Sequence, residues 1–147
     1  RTRGMRAGEL CVRTVVTAGP DETAMDIARR MADLDVGDVI VVDERPGELP
    51  RPIGIVTDRD LVVRALSRSD RLSAATRVRD LMQHGLVSAR EDDDVQSVLA
   101  KMRAHAIRRV PIVDDKGGLQ GVISVDDILG SLRDDLTTAV DVIERRS

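Results

Sequence analysis

Slid along itself by 71 positions, the 147-residue sequence meets its own chemistry: Leu10 falls on Leu81, Val16 on Val87, Asp21 on Asp92 and Met31 on Met102. The register continues through Val39 with Val110, Val42 with Val113 and Asp43 with Asp114. It then shortens to 67, because the first copy carries four extra residues. In the second register Gly54 meets Gly121, Thr57 meets Ser124, Asp60 meets Asp127 and Leu61 meets Ile128. A chain of this length has no room for two independent domains of ordinary size, so the copies are expected to share one core. Two copies point to pseudo-twofold symmetry, not a solenoid. The first repeat spans 7–66, a polar linker 67–77, and the second repeat with a C-terminal helical extension 78–147.

Each copy reads as β-α-β-β-α, which makes the fold class α/β (α+β). Val15 to Thr17 is a short strand, and Asp21 or Thr23 caps a helix with the apolar stripe Ala24, Ile27, Ala28, Met31 and Leu34. In the second copy Val87 opens the strand. The acidic run Glu91 to Asp94 then sits at a positive helix N-terminus, and Val95, Val98, Leu99 and Met102 form the stripe. Val39 to Val42 and Val110 to Val113 are short, β-branched and apolar, as buried strands are. A hairpin leads from each to a further strand, Ile53 to Thr57 or Gly121 to Ser124, and a helix follows. Glu44 to Pro52 reads as a long proline-rich surface loop. The last helix is extended, because Ile128, Leu132, Leu136, Val140 and Ile143 keep one apolar face almost to the end.

Composition narrows the function. No Phe, Trp or Tyr occurs, so the core is aliphatic and no nucleobase can stack on an aromatic ring. A net charge of −3 gives no broad positive field for a phosphate backbone, and nucleic acid is not an expected partner. The single cysteine, Cys11, excludes an intrachain disulfide, and no apolar run has the length of a membrane span; a cytoplasmic protein is expected. Cys11 aligns with Met82, so both are expected to fill equivalent apolar pockets. His84, and His105 on a helix's apolar side, lack metal-ligand spacing. Asp58, Asp60 and the run Asp92 to Asp94 lack a partner His, Lys or nucleophile, so neither a Mg²⁺ hydrolase nor another enzyme is expected, and no cofactor is required.

The stretches Gly-Ile-Val-Thr-Asp-Arg-Asp-Leu at 54–61 and Gly-Val-Ile-Ser-Val-Asp-Asp-Ile at 121–128 resemble the cystathionine-β-synthase (CBS) domain, as does Arg109-Val110-Pro111-Ile112-Val113-Asp114. A lone Thr-x-x-Asp means little; its doubling in matching context carries the resemblance, which covers nearly the whole chain. The resemblance implies two copies packed face to face, a homodimer, and clefts between the copies that bind an adenine nucleotide or relative: AMP, ADP, ATP or S-adenosylmethionine. It implies a regulatory role toward an effector protein not contained in these residues. It also implies that Thr57, Asp58, Arg59, Asp60, Ser124 and Asp127 line the sites. Arg109 would then face the phosphate held by Thr57 and Asp60, while Ser124 and Asp127 would face Asp38, so a phosphorylated ligand would favour the Thr57 site.

The residues themselves allow two readings. A hydroxyl and the first N–H groups of a helix suit a phosphate, and a carboxylate in the first turn accepts two hydrogen bonds from a ribose diol. Equally, Thr or Ser ahead of a helix is an ordinary N-cap, and Asp in the first turn gains from the helix dipole alone. The corresponding functional alternative is a ligand-free dimerisation or interaction scaffold.

Overall fold

The computed structural model describes residues 5–66 and 75–146, so most of the predicted linker lies outside the described residues. The first copy contributes α1 (Ala7–Leu10), β1 (Thr17–Ala18), α2 (Ala24–Leu34), β2 (Asp38–Arg45), β3 (Glu48–Thr57) and α3 (Asp58–Leu66). The second contributes α4 (Val78–Leu81), β4 (Ala89–Arg90), α5 (Val95–His105), β5 (Arg109–Val113), β6 (Leu119–Ser124) and α6 (Val125–Arg146). Two three-stranded sheets result, ordered β1-β2-β3 and β4-β5-β6. In each, a two-residue strand pairs parallel with the central one, as a strand-helix-strand crossover requires.

The helices begin where the sequence places them. Thr23 caps α2 in a reciprocal box with Asp26, at 3.2 and 3.1 Å, and Asp94 caps α5. Both helices end on a left-handed residue that is not glycine, Asp35 at φ 53° and Ala106 at φ 52°. A polar clamp, which the periodicity gave no hint of, ties each helix to its first strand. Arg30 grips Glu22 at 2.6 and 3.0 Å and donates to the Thr17 carbonyl, while Glu22 accepts from the Gly19 N–H. Seventy-one residues on, Lys101 donates to the Ser88 carbonyl and Asp93 accepts from the Arg90 N–H. The Arg30 guanidinium holds the Glu22 carboxyl below its usual range.

The chain divides into two compact units, and neither coincides with a sequence repeat. One is built from residues 5–13, Val87–Asp115 and 120–146; the other from 14–66, 75–86 and Lys116–Leu119. The short lead-in helix of each copy therefore belongs to the unit that holds the other copy's sheet. In one unit Ala7 and Gly8 donate to the Asp93 and Glu91 carbonyls, Val95 donates to Met5, and Val12 exchanges two bonds of 2.8 and 2.9 Å with Val122. In the other, Val78 and Arg79 donate to Glu22 and Pro20, Ala24 donates to Thr76, and Gln83 exchanges bonds of 2.8 and 3.3 Å with Ile55. Every contact in the first set has its counterpart in the second.

Each unit holds an apolar cluster. Ala7, Ala89, Val95, Val98, Met102, Val110, Ile112, Ile123 and Ile128 form one. Ala18, Ile27, Met31, Val39, Val41, Val56, Val78 and Met82 form the other. Each sheet has too few residues to close a core by itself, and the borrowed lead-in supplies the missing apolar groups. Gly54 and Gly121 mark where it arrives. A Cβ on Gly54 would lie 2.8 Å from Met82 Sδ and 2.9 Å from the Gln83 carbonyl; one on Gly121 would lie 2.8 Å from the Val12 carbonyl and 3.0 Å from Cys11 Sγ. Cys11 and Met82 do fill equivalent pockets, and burial pushes the Cys11 thiol pKa up.

Three expectations are corrected. Ala28 and Leu34 are exposed, because the row Ala24, Ile27 and Met31 already covers a sheet of only three strands. His105, the counterpart of Leu34, is likewise exposed and bonds the Lys101 carbonyl. Glu44 to Pro52 is not a loop but the tip of a hairpin: β2 runs to Arg45 and β3 starts at Glu48. Pro46 and Gly47 turn it, with Gly47 at φ 73°, and bulges between Val41/Val42 and Asp43/Arg45 absorb the added length. Pro50 and Pro52 are tolerated because β3 is the last strand in its sheet.

Candidate functional site

The residues singled out from the sequence sit at two strand-to-helix corners, where β3 runs into α3 and β6 into α6 with no intervening loop. At the first, Thr57 N–H donates to Asp60 Oδ2 at 2.9 Å and Asp60 N–H to Thr57 Oγ1 at 3.1 Å. At the second, Ser124 N–H donates to Asp127 Oδ2 at 2.9 Å and Asp127 N–H to Ser124 Oγ at 3.1 Å. Both are reciprocal capping boxes. Each still leaves a hydroxyl proton to donate and carboxylate lone pairs to accept.

Beyond this shared box the corners differ. Asp60 is only 6% exposed. Gln83 Nε2 reaches its Oδ1 and Oδ2 at 3.2 and 3.1 Å, and Arg64 Nε lies 3.6 Å from Oδ1. Asp58 N–H donates to the Gly37 carbonyl and Arg59 N–H to Asp58 Oδ1. The N–H groups of Thr57, Asp58, Arg59 and Asp60 at this corner are therefore each given an acceptor by the chain itself. At the second corner Ser124 is 5% exposed and Asp127 half-buried. Val125 N–H donates to the Arg108 carbonyl. Among the described residues the Asp126 N–H has no acceptor, and the Asp127 side chain hydrogen-bonds only to Ser124, with the Cys11 thiol near enough to feel its charge.

Neighbouring charge differs too. Asp38 lies directly opposite Thr57 in the sheet. Its counterpart, Arg109, starts β5, the strand beside β6, and is exposed. Asp58 and Arg59 are exposed on the first turn of α3, whereas the matching positions carry Val125 and Asp126, with Arg108 3.4 Å from the Asp126 carboxylate. Gln83 and Arg64 are the residues the sequence reading missed. Alignment of the copies held the signal, since their counterparts are Val12, whose side chain donates nothing, and Ser131, which carries no positive charge.

Among the described residues no group of three or more His, Cys, Asp or Glu is placed to hold a metal, and no helix is long and apolar enough to cross a membrane.

The CBS domain family model matches residues 7–67 and again 78–134, so each match includes one of these corners. The chain belongs to the CBS domain family. The CBS pair is 38% identical over 127 residues to an uncharacterised protein of Methanopyrus kandleri, covering 86% of this chain and 62% of that one. It is 32% identical over 124 residues to an inosine-5'-monophosphate dehydrogenase of Methanocaldococcus jannaschii, covering 84% of this chain and 23% of the enzyme. It thus spans less than two thirds of either relative. A solved CBS domain pair in complex with 5'-methylthioadenosine and S-adenosylmethionine superposes with a TM-score of 0.74 at 23% identity, covering 89% of this chain and 98% of that one, which is a likeness of fold.

Proposed function

We propose that the chain is a regulatory module, not an enzyme, that binds an adenosine-containing nucleotide at its hydroxyl-carboxylate corners and acts in the cytoplasm on an effector protein or on the remainder of a longer chain. The observation that carries this is the pairing, in both copies, of a Thr or Ser hydroxyl with an Asp carboxylate at a helix start. Such a pair offers one donor to a phosphate oxygen and two acceptors to a ribose diol. The solved pair holding two adenosine compounds supports the same ligand class. Thr57, Asp58, Arg59, Asp60, Ser124, Asp127 and Arg109 are the proposed contacts, and AMP, ADP, ATP and S-adenosylmethionine the proposed ligands.

The absence of Trp and Tyr makes the test inexpensive, because the protein hardly absorbs near 280 nm. A purified sample is expected to show a 260 nm band that disappears on unfolding and dialysis, after which AMP gives saturable heat in calorimetry. No band and no heat with AMP, ATP or S-adenosylmethionine would sink the proposal.

A second reading, a ligand-free homodimeric scaffold, draws on α6, whose Leu136, Val140 and Ile143 are 67%, 49% and 66% exposed. A dimer in sedimentation that Leu136→Glu dissociates, together with the silent calorimetry, would favour it.

A further inference from the structure

Resting on the nucleotide reading, we infer that Gln83 is an internal occupant of the Thr57 corner, which leaves the Ser124 corner as the one that takes ribose and phosphate in the resting chain. An amide NH₂ presents two donors, and Gln83 Nε2 sets them against both oxygens of Asp60 at 3.1 and 3.2 Å. A vicinal diol would use the same two oxygens in the same way. The amide cannot turn its carbonyl to this carboxylate, since two acceptors would repel.

The backbone of Gln83 is pinned by its paired bonds to Ile55, so the side chain is delivered to Asp60 by the lead-in segment itself. The side chain is exposed and displaceable, but a ligand there must first break two bonds to a charged group. Arg64, at 3.6 Å, adds a cation on the same carboxylate.

The other copy lacks both devices. Val12 stands where Gln83 does and donates nothing; Ser131 stands where Arg64 does and turns its hydroxyl to Met5 Sδ at 3.7 Å. Asp127 Oδ1 and the Asp126 N–H are left for a ligand, one for the ribose and one for the phosphate. The order of preference is therefore the reverse of that expected from Arg109.

Calorimetry with AMP on wild type and four variants, Gln83→Val, Val12→Gln, Asp60→Asn and Asp127→Asn, tests this. Wild type is expected to bind one AMP per chain, Gln83→Val two, and Val12→Gln and Asp127→Asn at least tenfold more weakly than wild type. Positions 83 and 12 are both exposed, so neither exchange disturbs a core. Two AMP per wild-type chain, a stoichiometry unmoved in Gln83→Val, or binding lost in Asp60→Asn but kept in Asp127→Asn would overturn the role of Gln83 and leave the nucleotide reading standing. Heat from none of the chains would overturn the nucleotide reading. In that case the Gln83 side-chain NH₂ resonances report on the contact separately: a shift on Asp60→Asn supports the internal occupant, and no shift overturns it.

Discussion

Glu22 shows how one side chain couples the start of a helix to the strand before it. Its carboxyl accepts from Arg30 and from the Gly19 N–H, and these bonds favour the ionised form in the folded chain. A folded pKa below the unfolded one means stability that is fully present above the ordinary glutamate value and lost as pH falls through the depressed one. Glu22→Gln is expected to cost about 1 kcal/mol near pH 7, the scale of a partly exposed charge-assisted pair. The gap from wild type should close as urea titrations are moved down through the acid range; a gap independent of pH would refute the assignment. Gly121 makes a second demand at this scale. Gly121→Ala places a methyl against the Val12 carbonyl, a backbone atom that cannot swing aside, and should cost about 1–3 kcal/mol, read from denaturant midpoints.

Among the elements, α5 stops at Ala106 in the left-handed region, where an L side chain is strained by about 1–2 kcal/mol. Ala106→Gly is expected to raise the melting temperature despite glycine's greater unfolded-state freedom; a drop would show that the Ala106 methyl contributes packing. The strands and longer helices were legible in the sequence because Val39 to Val42, Val110 to Val113 and the α2 and α5 stripes carry the periods of what they form. The β2–β3 hairpin was misread because prolines usually mark loops, and only sheet order shows that Pro50 and Pro52 lie where a missing N–H is harmless. The corner residues were found by doubling alone. Their reciprocal caps follow from local spacing, but Gln83 lies 23 residues from Asp60, and no local pattern joins them.

For the whole molecule, the exchange of lead-ins was illegible because α1 and α4 have four residues each, too few for a period to emerge. Its energetic weight can be measured by cutting the chain at residue 70. Each fragment then lacks Ala7 or Val78 and the rest of the segment that completes its sheet. Neither fragment alone is expected to melt cooperatively, whereas an equimolar mixture should regain a sigmoidal transition by circular dichroism. A cooperative melt from either piece alone would show that the borrowed segment is dispensable.

The paired bonds of Val12 with Val122 and of Gln83 with Ile55 also bear on ancestry. A polypeptide with a single copy would have no second lead-in of its own, so it could satisfy that sheet only by trading segments with a sister molecule. Two copies in one polypeptide make that partnership independent of concentration. Once the two lead-ins no longer had to be identical, one could evolve toward glutamine and the other toward valine.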